Sequence, residues 1–215
     1  MTNRHYTSAD TLLINFDQAL RTVFGQPKTT GRLNPAVSAP PATELNPSEQ
    51  QQAARLMRVN HTGEVCAQAL YQGQALTARL DTVRDSMDQA AIEENDHLAW
   101  CETRLKELDS HPSLLNPLFY AGAFVIGALA GKAGDRWSLG FVAETEHQVV
   151  EHLNSHLSRL PNHDQPSRLI LEQMKEDEAR HATHALAAGG ARLPLPIRVL
   201  MKSAAKVMTS MTYWV

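Results

Sequence analysis

Several scarcities limit what this chain of 215 residues can be. It has only two cysteines, Cys66 and Cys101, in no CxxC pair and no zinc spacing. Both fall in helix-like stretches, so packed free thiols of a reducing compartment are expected rather than a disulfide. A basic excess is missing. The 20 Lys and Arg residues face 23 Asp and Glu residues, a net charge of −3, which gives no support for a nucleic-acid binder. Long apolar runs are missing too. None reaches the roughly 18 residues of a membrane span, and Asp10 and Asp17 interrupt the N-terminal stretch, so no signal peptide is expected. No G-x-G-x-x-G dinucleotide fingerprint is present. What remains is a chain 43% hydrophobic, long enough for one domain with a core and attachments.

The apolar residues recur with helical period throughout, which predicts an all-α fold. Residues 1–45 read as a short amphipathic helix, with Leu12, Leu13, Phe16, Leu20 and Val23 as its stripe, and a linker containing Pro27, Pro35, Pro40 and Pro41. Residues 46–190 read as four bundle helices. The first opens on Asn46 as N-cap, Pro47 at the first helical position and Glu49 three residues after the cap. The second is predicted over 82–108, ended by His111-Pro112; the third over 136–160; the fourth over 166–188, stopped by Gly189-Gly190. Between the second and third lies Leu114–Ala130, uncharged and without a polar face. It is either a buried crossover helix or a greasy surface for membrane or an apolar substrate. Residues 191–215 read as a C-terminal amphipathic helix, with Ile197, Met201, Ala204, Met208 and Met211 on one side and Arg198, Lys202 and Lys206 on another. Packing on the bundle and contact with an anionic membrane both suit it.

The core-facing stripes of the four bundle helices carry groups that do not belong in oil. Glu64 lies on the first, Glu94 and His97 on the second, Glu146 on the third, Glu178 and His181 on the fourth. A buried, uncompensated carboxylate costs several kcal/mol. Glu and His three apart project side by side from one helix face, so both can reach one ion. Glu64 and Glu94 are 30 residues apart and Glu146 and Glu178 are 32 apart, so the chain holds two similar hairpins. Each offers a lone Glu followed by Glu-x-x-His, the ligand pattern of di-iron and di-manganese carboxylate bundles. Four carboxylates balance the charge of two divalent ions. Oxygen and nitrogen donors without thiolate suit iron or manganese better than zinc, and iron is expected because it activates dioxygen. Glu144 and His147 also match Glu-x-x-His, but they are turned away from the face that carries Glu146 and read as solvated or outlying groups. His152 is a candidate hydrogen-bond partner behind Glu146; His61, His156 and His184 read as satisfied or surface histidines.

Four runs carry a family resemblance. They are Arg58-Val59-Asn60-His61-Thr62-Gly63-Glu64, Glu94-Asn95-Asp96-His97-Leu98, Val142-Ala143-Glu144-Thr145-Glu146 and Asp177-Glu178-Ala179-Arg180-His181. From about Glu49 to the C-terminus the chain resembles the demethoxyubiquinol hydroxylases of ubiquinone biosynthesis. The resemblance implies a ferritin-like four-helix bundle with an apolar crossover and extra terminal helices. It implies two iron ions held by Glu64, Glu94, His97, Glu146, Glu178 and His181, with Glu94 and Glu178 bridging, and no catalytic residue beyond the ligands. It also implies a prenylated quinol and dioxygen as substrates, a peripheral position on the cytoplasmic face of a bacterial cell membrane, and other ubiquinone-biosynthesis proteins as partners. The alternatives are another di-iron or di-manganese activity (ferroxidase, peroxidase or catalase), or a metal-free membrane adaptor.

Overall fold

Local signals in the chain start and stop each helix of the computed structural model, which describes residues 7–25, 28–40 and 44–215. Pro27 and Pro41 of the expected linker and the side chain of Leu12 lie outside the described residues. Helix α1 (Ser8–Phe24) opens on a capping box between Thr7 and Asp10. A 3-10 turn covers Pro35–Ser38. Helix α2 (Pro47–Thr77) opens as predicted, with the Asn46 side chain accepting from the amides of Ser48 and Glu49 while Glu49 reaches back to the cap. Helix α3 (Asp81–Glu107) ends before His111-Pro112. Asp109 adopts a left-handed conformation at φ 53°, and the Ser110 amide closes the end on the Leu105 carbonyl at 2.9 Å. Helices α4 (Asn116–Ala133), α5 (Asp135–Arg159), α6 (Gln165–Ala187) and α7 (Leu195–Thr212) complete the chain. Among the described residues there is no strand.

Helices α2 and α3 form one hairpin, α5 and α6 the other, and α3 packs on α6. The core they enclose is layered. At one end Leu56, Trp100, Leu105, Leu153, Leu171 and Met174 belong to one apolar cluster; at the other Tyr71, Met87, Leu139, Val142 and Ala185 belong to a second. In all four helices the ionisable residues of the predicted stripes fall in sequence between these clusters. The polar layer is therefore closed off at both ends by packed side chains.

Helix α4, the crossover, has one face buried against the bundle and one apolar face exposed. Tyr120, Ala123, Gly127 and Gly131 are buried against the bundle, whereas Leu118, Val125 and Leu129 are exposed. It approaches α2 backbone to backbone. A Cβ on Gly127 would collide with the main chain of Leu70, and one on Gly73 with the main chain of Phe124. The Thr77 hydroxyl donates across the seam to the Ala128 carbonyl at 3.1 Å. The sharp turn into α5 uses Gly134 at φ 116°, and Asp135 then accepts from the amides of Arg79 and Leu80, tying the crossover to the α2–α3 corner.

The α2–α4 seam predicts opposite signs for two glycine substitutions in the same helix. Gly127→Ala forces backbone apart and is expected to destabilise by about 1–3 kcal/mol in urea unfolding. Gly122→Ala meets nothing within 4 Å and is expected to be neutral or to stabilise by roughly 0.5–1 kcal/mol.

Candidate metal centre

The four helix phases deliver Glu64 from α2, Glu94 and His97 from α3, Glu146 from α5, and Glu178 and His181 from α6 to one interior layer, none more than 7% exposed. One ligand atom from each of Glu64, Glu94, His97 and Glu178 lies within 4.8 Å of the others. Both imidazoles turn Nδ1 inward. His97 Nδ1 is 2.9 Å from Glu94 Oε2, 3.2 Å from Glu178 Oε1 and 3.5 Å from Glu64 Oε2. His181 Nδ1 is 3.1 Å from Glu94 Oε1 and 3.3 Å from Glu178 Oε2. Glu94 and Glu178 thus stand between the two rings, each offering one oxygen to each. Glu64 adjoins His97. Glu146 is also buried, and its Oε1 accepts the Tyr71 hydroxyl at 2.6 Å.

Burial without matching charge dominates the electrostatics. It pushes the carboxyls of Glu64 and Glu146 well above the usual range, and for Glu146 the charges of Glu178 and Glu94 add to the effect. Burial also opposes the charge on Glu94, but the His97 and His181 imidazoles outweigh it and hold this carboxyl below its ordinary value. Conversely, burial would neutralise the rings. The surrounding acids prevail, raising His97 well above its usual range and His181 to about 12.

A further set of acids, reached by no sequence argument above, grips the outer nitrogen of each ring. His97 Nε2 meets Asp177 Oδ2 at 3.0 Å, and His181 Nε2 meets Glu93 Oε2 at 2.9 Å. The pairing is crossed: Glu93 of α3 holds the histidine of α6, and Asp177 of α6 holds the histidine of α3. Arg180 joins the two acids, at 3.1 Å from Glu93 and 3.0 Å from Asp177. A signal for these acids was present, since each directly precedes the motif glutamate in Glu93-Glu94-x-x-His97 and Asp177-Glu178-x-x-His181. A carboxylate on Nε2 fixes the tautomer and leaves the Nδ1 lone pair for an ion.

The remaining candidates lie apart. Glu144 pairs with Arg198 of α7 at 2.7 Å, and His147 is exposed. His152 lies against His156, with ring centroids 3.8 Å apart and planes tilted by 57°. Among the described residues no hydrogen bond or ion pair joins His152 to Glu146. His156 bonds Asn60 at 2.8 Å, and His61 lies 3.3 Å from the Asn116 amide. The thiols are unpaired, Cys101 buried and Cys66 partly so.

The donor set fits metal. Both oxygens of Glu94, Oε2 of Glu64 and Nδ1 of His97 are buried and make no hydrogen bond among the described residues, although they crowd one another. Such orphaned acceptors are rare in interiors, because each forfeits its hydration. Divalent ions would compete with protons for the same lone pairs and supply the missing partners.

A family profile described as ubiquinone biosynthesis protein COQ7 matches residues 51–212. The 3-demethoxyubiquinol 3-hydroxylase of Nitrosococcus oceani is 61% identical over 215 residues, the whole of both chains. Those of Pseudomonas putida strain W619 and Acinetobacter baylyi are 58% and 56% identical, each over 99% of this chain and 98% and 100% of their own. Among solved structures, a dodecameric thioferritin, a bacterioferritin-related protein of Bacteroides fragilis, superposes with a TM-score of 0.52 at 15% identity, over 65% of this chain and 86% of its own. That likeness is one of fold, and with the two hairpins and crossover it makes the architecture a ferritin-like helical bundle.

Binding of an ion to this layer must stabilise the fold by mass action. Cobalt(II) at about 100 times its dissociation constant is expected to add about 3 kcal/mol to unfolding stability, and a chelator to remove it. Glu178→Ala, which deletes a carboxylate facing both imidazoles, is expected to lose this gain. Calorimetric unfolding with and without the ion measures it.

Proposed function

This chain belongs to the COQ7 family of ubiquinone biosynthesis proteins, and from that membership we propose that it is a 3-demethoxyubiquinol 3-hydroxylase, an oxygen-dependent monooxygenase that hydroxylates the quinol ring. The observation that carries the reading is the pair of inward-facing imidazoles with two glutamates shared between them, in a chain matched along its whole length by relatives named for this reaction.

The resident group proposed for the layer is a pair of iron ions, which when bound supplies the redox chemistry that activates dioxygen. Glu64 and His97 would hold one ion, Glu146 and His181 the other, and Glu94 and Glu178 would bridge both. The crossed contacts of the two shared glutamates and the absence of any thiolate from the layer support this set. The chain's own residues do the rest. Asp177 and Glu93 orient the rings. The two apolar clusters keep bulk water from either end. Tyr71 holds a proton 2.6 Å from Glu146, which fixes that carboxylate beside a narrow seam between α2 and α5 lined by Ala67, Leu70, Tyr71 and Val142.

A prenylated substrate calls for an apolar surface, and a peripheral position on the cytoplasmic face of the bacterial membrane suits that need. No helix among the described residues is long and apolar enough to cross a membrane. Exposed apolar side chains line α1 (Leu13, Phe16), α4 (Leu118, Val125, Leu129) and α7 (Val199, Leu200, Val207). Two of the three basic residues of α7 already have acidic partners. Arg198 and Lys202 pair with Glu144 and Glu151 of α5 at 2.7 and 3.0 Å. Membrane contact would therefore rest more on the apolar side of α7 than on the charges of these two residues. The same faces are where other proteins of ubiquinone biosynthesis would dock. The ferroxidase, peroxidase and catalase alternatives use a comparable ligand set but leave the apolar faces without a purpose.

Iron-loaded protein given reductant, a demethoxyubiquinol and isotopically labelled dioxygen is expected to yield a product carrying one labelled hydroxyl oxygen by mass spectrometry. Glu94→Ala is expected to form less than about a thousandth as much, because two ions lose a shared ligand. Absence of product from wild type with two irons shown bound would refute the assignment. Leu118→Ser, Val125→Ser and Leu129→Ser together are expected to reduce liposome flotation at least about tenfold, with the cobalt-induced stabilisation unchanged.

A further inference from the structure

The segment between α1 and α2 holds one end of the ligand layer. Within it Arg32 crosses to the bundle and places its guanidinium 2.7 Å from Asp177 Oδ2, the oxygen that meets His97 Nε2. The same guanidinium lies over the Trp100 ring, 5.1 Å from its centroid, and that ring is 5.4 Å from the ring of His97. Arg32 therefore contacts both neighbours of this imidazole, the acid on its outer nitrogen and the aromatic ring beside it. Its own position is determined on both sides. The Thr30 amide and hydroxyl donate to Asp96, the amide at 2.8 Å, and the Lys28 carbonyl accepts from the Asn95 side chain at 3.0 Å. Beyond Arg32, Ala36 packs against the apolar cluster that contains Trp100.

Among the described residues His181 has no equivalent. Its outer acid, Glu93, is 25% exposed and held by Arg180 and Gln89, whereas Asp177 is 1% exposed and held by Arg32, Arg180 and Gln173. The two halves of the layer match in ligands but differ in what lies behind them. An ordered, desolvated carboxylate on Nε2 loses less freedom when an ion binds at Nδ1 than a mobile, hydrated one does.

We propose that Arg32 is a positioning residue which, through Asp177 and Trp100, makes the metal position at His97 the tighter of the two. This rests on the reading of the layer as a two-metal centre. Metal-free full-length protein titrated with cobalt(II), followed by visible absorption of the bound ion, is expected to fill in two steps at least about tenfold apart. His97→Gln should lack the tight step and His181→Gln the weak one. Arg32→Ala is expected to weaken the tight step about tenfold, to change the spectrum of the first ion, and to leave the weak step within about twofold. Arg32→Lys, which keeps the charge beside Asp177, should recover most of that loss.

Four results would overturn the inference: two equal steps in wild type, tight binding assigned to His181, an Arg32→Ala effect equal on both steps, or Arg32→Lys binding no better than Arg32→Ala. An equal loss would mean that Arg32 only supports the fold. Wild type that takes up no cobalt would instead refute the two-metal reading itself, which keeps the two failures apart.

Discussion

Four carboxylates and two imidazoles share a water-poor layer, and the rest of the molecule accommodates that arrangement. Acids so placed repel one another and lose their hydration. Their burial is tolerable only because every helix that brings one in also brings apolar partners above and below it. Leu56, Trp100, Leu153 and Met174 close one end, Met87, Leu139, Val142 and Ala185 the other. The layer is closed at its ends, so its charge is met from within by the two rings, and bound ions would add to that. This is the setting in which a bound metal acts most strongly, since its field is not screened by solvent.

The crossed grip of Asp177 and Glu93 makes the two hairpins one unit. Each supplies two glutamates and a histidine to the layer and an acid to the other's histidine, so displacing α3 against α6 would disturb both rings together. Arg180 joins the two grips and Arg32 reinforces one of them. A nearly symmetric set of ligands thus sits in an asymmetric surround, supplied by chain outside the bundle.

Helix α4 separates two tasks by face. The glycine-lined side lets its backbone touch α2, which makes the crossover a rigid wall rather than a loose strap. The other side keeps its leucines and valines in solvent. Helix α7 does likewise, turning Arg198 and Lys202 to α5 and its large apolar residues outward. Monomeric soluble proteins seldom expose large apolar patches without a use, and the proposed prenylated quinol would supply one.

The helices and the burial of the six inner acids and imidazoles were legible in the sequence. Helical period and the burial cost of charge act locally. Glu94 and His97, three residues apart on an apolar stripe, can be assigned to one interior face without knowing what they meet. Caps such as Asn46 with Glu49 are local as well, and so is the stop at Gly189-Gly190. The end of α3 falls within one residue of its expected place, although the left-handed residue that follows is Asp109 and no glycine marks it. Glu93 and Asp177 stand directly before the motif glutamates, but nothing local ties them to a histidine, since their partners lie on another helix. The crossed pairing, the placement of His152 against His156 rather than in contact with Glu146, and the contacts of Arg32 arise from tertiary packing alone. That last residue lies in a stretch without period, and its contacts span 145 residues to Asp177. Interactions between segments so distant leave no trace in either one, because nothing but the packed fold brings them within reach.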